Sequence, residues 1–254
     1  MSALADLAGR IRDARRLTIL TGAGVSAASG VPTFRGPGGL WKQYRAEDLA
    51  TPEAFARDPA LVWEWYDWRR QRVAACEPNA AHHVIAHWST HRVRPPYADR
   101  LKVAVVTQNV DDLHIRAGTS ELVRLHGSIW ELSCVKRCAA GSTPWRDDRV
   151  PLPQPRCPHC GALARPAVVW FGESLHPDDV DAAMRATRCD VFLTVGTSAV
   201  VYPAAGLVQQ ARHQGAFTAE INLEATPAST VVDVAIQGGA ETILPELDGL
   251  LTAT

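Results

Sequence analysis

The stretch LTILTGAGVSAASGVPTFRGPGG, residues 17–39, decides the fold of this chain. It begins as a short apolar run that predicts a buried strand, and it breaks at once into glycines. Gly22, Gly24 and Ala27 satisfy the G-x-G-x-x-G/A pattern, in which glycines permit a tight turn and a close backbone approach to a ligand. A helix beginning near Gly24 would present free N–H groups to a pyrophosphate. The pattern alone does not separate a nucleotide site from a simple strand–helix turn, and the acidic ribose anchor expected roughly 20 residues later is not evident.

Length and composition restrict the class of protein. At 254 residues and 46% hydrophobic content, the chain fits one large domain, or a large domain that carries a small one. The net charge of −1 gives no electrostatic reason to expect a nucleic acid or a membrane as partner. No apolar run reaches the roughly 18 residues of a transmembrane helix, and the N-terminus is amphipathic, unlike a signal peptide. We therefore expect a cytoplasmic enzyme, with a monomer as the default oligomeric state.

The rest of the chain alternates between strand-like and helical patterns. Apolar runs predict strands at residues 101–107, 122–125, 167–171, 191–195, 217–222 and 231–236. Helical patterns lie at residues 79–89, 178–188, 204–214 and 244–251, and Pro52 and Pro59 follow N-cap residues. Buried strands that alternate with helices predict an α/β fold with a doubly wound parallel sheet of the Rossmann type.

Four cysteines interrupt this pattern with a predicted metal site. Cys134 and Cys138 form one close pair, Cys157 and Cys160 another, and 18 residues separate the pairs. Such spacing is typical of a tetrahedral zinc–thiolate site, in which four thiolates leave no position for water, so the zinc is structural. His159 is an alternative ligand, and the x3 spacing of the first pair departs from the commoner x2. Two further cysteines, Cys76 and Cys189, are interpreted as ordinary core residues.

Polar side chains follow several predicted strands, where open α/β sheets bind ligands. Gln108, Asn109, Val110 and Asp111 follow the strand at 101–107 and suit ribose hydroxyls or an amide, with helix capping as the alternative. His126 follows the next strand and is a candidate general base, although a lone histidine is more often structural. The groups Gly196-Thr197-Ser198 and Asn222-Leu223-Glu224 end two later strands. Solvent exposure is the expectation for His82, His83, His87 and His91.

Together these motifs resemble the sirtuins. GAGVSAASGVPTFRG, TQNVDDLH, LHGS, the two cysteine pairs, VGTS and INLE occur in that order, and the match covers residues 17–251. The resemblance implies NAD-dependent removal of acyl groups from protein lysines, giving nicotinamide and O-acyl-ADP-ribose. It implies a Rossmann-type domain (about 1–40, 75–130 and 166–254) and a small helical and zinc-binding part (about 41–74 and 131–165). Acylated proteins or peptides are the implied partners, with NAD as co-substrate and one structural zinc ion.

The resemblance also implies a role for each motif residue. His126 is the implied general base, which takes a proton from a ribose hydroxyl, and Asn109 is the second implied catalytic residue. The implied NAD contacts are Gly22, Ala23, Gly24, Ser26, Phe34, Arg35, Trp41, Gln108, Asn109, Val110, Asp111, Gly196, Thr197, Ser198, Asn222, Leu223, Glu224 and Ala240. Phe34 is expected to shield the reacting sugar from water. The segment VVWFGE, 168–173, resembles the strand that pairs with the substrate backbone, which makes Val169 and Phe171 substrate contacts.

Tyr66 and Arg69 predict the type of acyl group. They are three residues apart in a helical stretch and therefore project from the same face. In one sirtuin subgroup a Tyr-x-x-Arg pair at the bottom of the acyl pocket recognises a carboxylate, and the surrounding sequence resembles that subgroup. We therefore predict activity on succinyl- and malonyl-lysine, with acetyl-lysine as a further substrate. A buried tyrosine beside an exposed arginine is the alternative that the spacing alone favours.

Three other functions compete with this interpretation. ADP-ribosyl transfer to protein would use the same NAD site. A hydride-transferring dehydrogenase would need the acidic ribose anchor that this chain lacks. A zinc ribbon that binds nucleic acid would leave the glycine-rich loops unexplained.

Overall fold

The computed structural model of the protein describes residues 2–32, 40–90 and 101–252. Across these residues short strands alternate with helices. The strands are β1 (Arg16–Thr21), β2 (Leu40–Trp41), β3 (Tyr44–Arg45), β4 (Lys102–Thr107), β5 (Leu122–Arg124), β6 (Gly127–Cys134), β7 (Trp145–Arg146), β8 (Ala164–Val168), β9 (Val191–Val195), β10 (Phe217–Asn222) and β11 (Val234–Gln237). The α-helices are α1 (Ala3–Asp13), α2 (Ala46–Leu49), α3 (Pro52–Arg57), α4 (Pro59–Ala74), α5 (Ala80–Ser89), α6 (Leu113–Arg116), α7 (Pro177–Ala186), α8 (Leu207–His213) and α9 (Ala240–Thr252).

Six strands form one parallel sheet in the order β11-β10-β9-β1-β4-β5. The first strand lies near the middle, and the chain builds the sheet outward from it, first toward β4 and β5 and later toward β9, β10 and β11. Where these two directions diverge, the loops that follow the strands leave a crevice at their carboxyl ends. The doubly wound α/β fold predicted from the sequence is confirmed.

Alternate residues of β1 fill two separate cores, because successive side chains of a strand point to opposite faces of the sheet. Leu17 and Ile19 pack with helices α1, α5 and α9 on one face. Leu20 packs with α7 and α8 on the other. Burying each such aliphatic side chain contributes about 1.5–3 kcal/mol to folding. The two cores hold the strand ends, and therefore the loops of the crevice, in fixed positions.

A second sheet, three-stranded and antiparallel, has the order β7-β6-β8. We call residues 127–168, which contain it, the cysteine module. The prediction that residues 167–171 form a strand of the parallel series is wrong. The strand is Ala164–Val168, and it pairs with β6. A five-residue apolar run indicates a buried strand but carries no information about which partner that strand has.

Helix α4 packs between the crevice and the cysteine module. The prolines at 52 and 59 begin α3 and α4 as predicted, with Thr51 and Asp58 accepting hydrogen bonds as N-caps. The buried side chains of α4 are Val62, Trp63, Trp65, Tyr66, Arg69, Arg70 and Val73. The indole N–H of Trp63 donates to the carbonyl of Ala164 at 2.9 Å, which holds the helix against β8.

Arg70 joins α4 to the cysteine module from a fully buried position. Its guanidinium donates to the backbone carbonyls of Ile129, Asp147 and Arg149 and lies 4.7 Å from the ring centroid of Trp130. A buried cation is stable only where hydrogen bonds replace its lost hydration. Its three carbonyl contacts therefore fix the position of the module relative to α4.

The helices in the described part of the chain are short. The 16 residues of α4 are fewer than the about 20 apolar residues that a bilayer crossing needs. In the described ranges, no helix combines the length and the apolar character of a membrane span. Cys76 and Cys189 are both buried, as predicted for core residues.

Candidate active site

A cleft of about 1150 Å³ opens at the carboxyl ends of β1, β4, β9 and β10. It exceeds the roughly 300–1,000 Å³ of ordinary small-molecule sites, which leaves room for two reactants. Most of the residues that the sequence assigns to NAD line it: Gly22, Ala23, Gly24, Gln108, Asn109, Val110, Gly196, Thr197, Ser198, Asn222, Leu223, Glu224 and Ala240. The tertiary structure thus brings together loops that are far apart in the sequence.

Other predicted NAD contacts are placed differently. Ser26 and Asp111 are buried behind the cleft wall. Phe34 and Arg35 lie outside the described residues, as does His91. Trp41 belongs to β2, where only its backbone is described.

The glycines of the first loop are required by packing between loops. The N–H of Gly24 donates to the carbonyl of Gly196 at 2.8 Å, and the N–H of Gly22 donates to the carbonyl of Val195. Gly196 has a φ of +59°, and a Cβ there would lie 2.4 Å from the nitrogen of Val25. These two N–H groups are therefore not free to bind phosphate, contrary to the simple form of the prediction. The glycines bring the first loop and the loop after β9 together as one cleft floor.

Side-chain hydrogen bonds link the loops around the cleft. The amide nitrogen of Gln108 donates to the hydroxyl of Thr197 at 2.9 Å. The amide nitrogen of Asn222 donates to the carbonyl of Thr197 at 2.8 Å. The loops after β4, β9 and β10 are thus linked, so their polar groups are held in position before any ligand binds.

A buried polar network lies under the first loop. The Ser26 hydroxyl donates to Asp111 Oδ2 at 2.8 Å and accepts from Asn109 Nδ2 at 3.2 Å. Its third neighbour is His82 Nε2 at 3.3 Å. His82 Nδ1 accepts the backbone N–H of Asn79, so Nε2 carries the proton and donates to Ser26. The network orients Asn109, the predicted catalytic amide, from behind.

His82 is a site residue that the sequence analysis missed. It was expected to be exposed, but it is fully buried, and its ring lies 4.9 Å from that of buried His114. The sequence did carry a signal, because His82 occupies the N3 position of α5 in a capping box with Asn79. Burial lowers the pKa of His82 from 6.5 to about 4 and that of His114 to about 3. Both rings are therefore neutral in the folded protein at neutral pH.

These two histidines predict acid sensitivity of the fold. Below pH 6.5 the unfolded chain binds a proton at each histidine, whereas the folded chain does not until the pH approaches their lowered pKa values. The stability is therefore fully present above pH 6.5 and declines as the pH falls toward 4, by about 1.4 kcal/mol per pH unit for each histidine.

The measurement is urea unfolding of the parent protein and of His114→Gln at several pH values between 7 and 4.5. The free energy of unfolding should change less steeply with pH in the variant than in the parent, by the equivalent of about one proton. Asp111, whose pKa is raised by burial, acts in the opposite sense in both proteins and cancels in the comparison. Equal slopes for the two proteins would contradict the prediction.

His126 stands at the cleft in the tautomer that a base requires. It lies between β5 and β6, and its Nδ1 lies 2.9 Å from the carbonyl of Gln108, to which it donates. The other ring nitrogen, Nε2, therefore keeps its lone pair, and the ring lines the cleft. Burial lowers the pKa of His126, opposed by the Gln108 hydrogen bond, so the ring is neutral at pH 7.

The predicted acyl-pocket pair lies at the α4 side of the cleft. Tyr66 and Arg69 are both buried, and both line the cleft. The prediction that they share one helix face is confirmed, and the alternative of an exposed arginine is wrong. Burial raises the pKa of Tyr66 to about 12 and lowers that of Arg69, so a protonated phenol and a desolvated guanidinium face the same cavity.

The segment predicted to pair with the substrate backbone also lines the cleft, through Val169 and Phe171. It is not a strand, because β8 ends at Val168. The N–H of Val169 donates to the carbonyl of His126, and the N–H of Phe171 donates to that of Ala50. These bonds fix the segment to the backbone of His126 and to the residue that follows α2.

The four predicted metal ligands form one cluster. The sulfurs of Cys134, Cys138, Cys157 and Cys160 all lie within 4.8 Å of one another. The contacts Cys134–Cys160 at 3.5 Å and Cys138–Cys157 at 3.7 Å approach the about 3.8 Å edge of a tetrahedron with 2.3 Å Zn–S bonds. The donor set and its geometry therefore fit zinc, and four thiolates leave no position for substrate.

Comparison with known proteins gives consistent matches. Residues 22–203 match the model of the Sir2 family. The chain is similar to NAD-dependent protein deacylase 2 of Pyrobaculum aerophilum, with 49% identity over 95% of this chain and 93% of the relative. It is 43% identical to the mitochondrial NAD-dependent protein deacylase sirtuin-5 of Canis lupus familiaris, over 96% of this chain and 84% of the relative. The crystal structure of a Sir2 homolog–NAD complex matches with a TM-score of 0.87 and 43% identity, over 97% of this chain and 93% of that one.

Proposed function

This chain belongs to the Sir2 family, and from that membership we propose that it is an NAD-consuming protein deacylase with a preference for acyl groups that end in a carboxylate. Succinyl- and malonyl-lysine are the expected substrates, with acetyl-lysine as a poorer one. The similarity to a sirtuin-5 supports this preference, and so does the sequence around the Tyr-x-x-Arg pair. The products are nicotinamide and O-acyl-ADP-ribose.

One observation carries the acyl preference: Arg69 is a buried guanidinium that lines the cleft beside a buried phenol. The Arg69 guanidinium also lies 5.0 Å from the ring centroid of Trp65. A carboxylate entering this part of the cleft would meet a charge-assisted donor in Arg69 and a second donor in Tyr66. An acetyl group has no terminal carboxylate, so it would make neither of these two contacts.

The residues at the other end of the cleft suit cleavage of NAD. NAD supplies an activated ribose carbon with nicotinamide as the leaving group. Asn109 would orient the ribose and carboxamide, held by its hydrogen bond to Ser26. His126 would accept a proton from a ribose hydroxyl at Nε2, since its Nδ1–H is committed to Gln108. The linked loops after β9 and β10 would hold the adenosine half.

Substitution Arg69→Met tests the acyl preference. Loss of a charged hydrogen bond is expected to lower kcat/KM for succinyl-lysine peptide about 10- to 150-fold, while kcat/KM for the matched acetyl-lysine peptide changes little. The measurement is turnover of matched acetyl, succinyl and malonyl peptides with NAD, with products identified by mass. The same assay reports any transfer of ADP-ribose to protein.

Arg72→Met is the matched control, because Arg72 is an exposed arginine on the same helix. It should leave both activities at the parental level. A parent without a preference for succinyl-lysine, or an Arg69→Met variant with unchanged desuccinylation, would refute the assignment.

A further inference from the structure

We propose that Trp170 is a specificity-determining positioning residue. Its indole N–H donates a hydrogen bond to the Tyr66 hydroxyl oxygen. The Tyr66 hydroxyl proton is thereby directed to the substrate carboxylate. The inference rests on the proposed function and deepens it. Trp170 belongs to the cleft-lining segment after β8.

The contact itself is short and buried. Trp170 Nε1 donates to the Tyr66 hydroxyl oxygen at 2.9 Å, and both side chains are 3% exposed. The direction of this bond is not ambiguous, because an indole N–H is a donor only. Trp170 therefore cannot accept the phenol proton. The Tyr66 proton must find another acceptor, and Tyr66 faces a cleft.

Two side chains contact the ring of Trp170. The guanidinium carbon of Arg165 lies 3.5 Å from its ring centroid, and the ring of Phe55 lies at 5.2 Å, centroid to centroid. The backbone N–H of Trp170 donates to Glu173 Oε2 at 2.9 Å. Glu173 in turn pairs with Arg165 through two bonds of 2.6 and 2.7 Å. The indole thus has little freedom to turn away from Tyr66.

This arrangement matters for one class of substrate only. A phenol that is already accepting a hydrogen bond is a pre-oriented donor, so little rotational entropy is lost when a carboxylate arrives. An acetyl or other apolar acyl group has no acceptor at that depth. Loss of the Trp170 bond should therefore weaken binding of dicarboxylic acyl groups and leave the chemistry at the ribose unchanged.

The test is Trp170→Phe, which removes the N–H and keeps an aromatic ring. The ratio of kcat/KM for succinyl over acetyl peptide is expected to fall about 2- to 13-fold, the range for one neutral hydrogen bond. The loss should lie in KM and not in kcat. Affinity for the succinyl peptide, measured by calorimetry without NAD, should fall by the same factor. In a Tyr66→Phe background the Trp170 substitution should have no further effect on the ratio.

Trp88→Phe is the matched control. Trp88 is also buried and its N–H donates to Asp248, and neither residue lines the cleft, so this variant should lose stability but keep the parental ratio. If Trp170→Phe does not fold, replacement of Trp170 by 3-benzothienylalanine removes only the N–H and keeps the ring shape. Suppose the parent prefers succinyl-lysine and a folded Trp170 variant keeps the parental ratio of kcat/KM for succinyl over acetyl peptide. That result overturns this inference and leaves the proposed function intact. A parent without succinyl preference overturns the proposed function instead.

Discussion

Replacing His126 by alanine is expected to lower kcat for deacylation by about 10²- to 10⁴-fold, the usual contribution of a general base. The reason is geometric: the Nδ1–H donates to the Gln108 carbonyl, which leaves Nε2 as the acceptor at the cleft. Burial lowers the pKa of His126, so the neutral, basic form prevails at pH 7. The activity of the parent should therefore be present at neutral pH and lost as the pH falls through this lowered value.

The pH profile separates a base from a structural histidine. In parent protein, kcat should show an acid limb below pH 6.5, whereas the residual activity of His126→Ala should lack it. His176→Ala is the control, because His176 is largely exposed, with a side chain 66% accessible to solvent. It should keep both the rate and the acid limb. An acid limb that persists in His126→Ala would assign the titration to another group.

Removing zinc is expected to abolish activity, although the metal touches no substrate. Structural zinc sites contribute on the order of 10 kcal/mol to the folding of small modules, and the buried apolar side chains of residues 127–168 pack in a core that they share with α4. Two arginines connect the cysteine module to the elements around the cleft, so unfolding of the module would disturb the cleft. Arg146 in β7 pairs with Asp112, next to Asp111, at 2.8 Å, and Arg70 binds the carbonyls of Asp147 and Arg149.

The measurement is metal content together with activity. The parent should hold one zinc ion per chain, lose activity on treatment with a chelator, and recover it with one equivalent of zinc. Cys157→Ser should fail to hold zinc and should lose at least about tenfold in activity, by analogy with other disrupted metal shells. Cys189→Ser, at a buried cysteine outside the cluster, should hold zinc normally. Full activity in zinc-free protein would contradict this coupling.

Sequence alone predicted the elements whose signals are local. The run before Gly22 is apolar and β-branched, and it is a strand. Thr51-Pro52 and Asp58-Pro59 carry the cap and the fixed φ of a helix start, and helices start there. The cysteine spacing predicted a cluster that the fold assembles. The strand, the two helix starts and each cysteine pair depend on residues within a few positions of one another, so the local pattern contains the physical cause.

The sequence did not determine the contacts between distant segments. Tyr66 and Trp170 are 104 positions apart, and Ser26 and Asp111 are 85 positions apart. Local periodicity places a residue on a face, but it does not show which face of another element will cover it. For that reason His82 was expected in solvent, and residues 167–171 were assigned to the wrong sheet.

The glycine-rich stretch at residues 17–39 shows both sides of this division. Its glycines by themselves determined a tight turn after a buried strand. Only the tertiary structure decided that the N–H groups of Gly22 and Gly24 bind the end of β9 and the loop that follows it. The physical reason is that a backbone donor takes the nearest acceptor that folding supplies, and here that acceptor comes from a strand that pairs with β1 across more than 170 residues of chain.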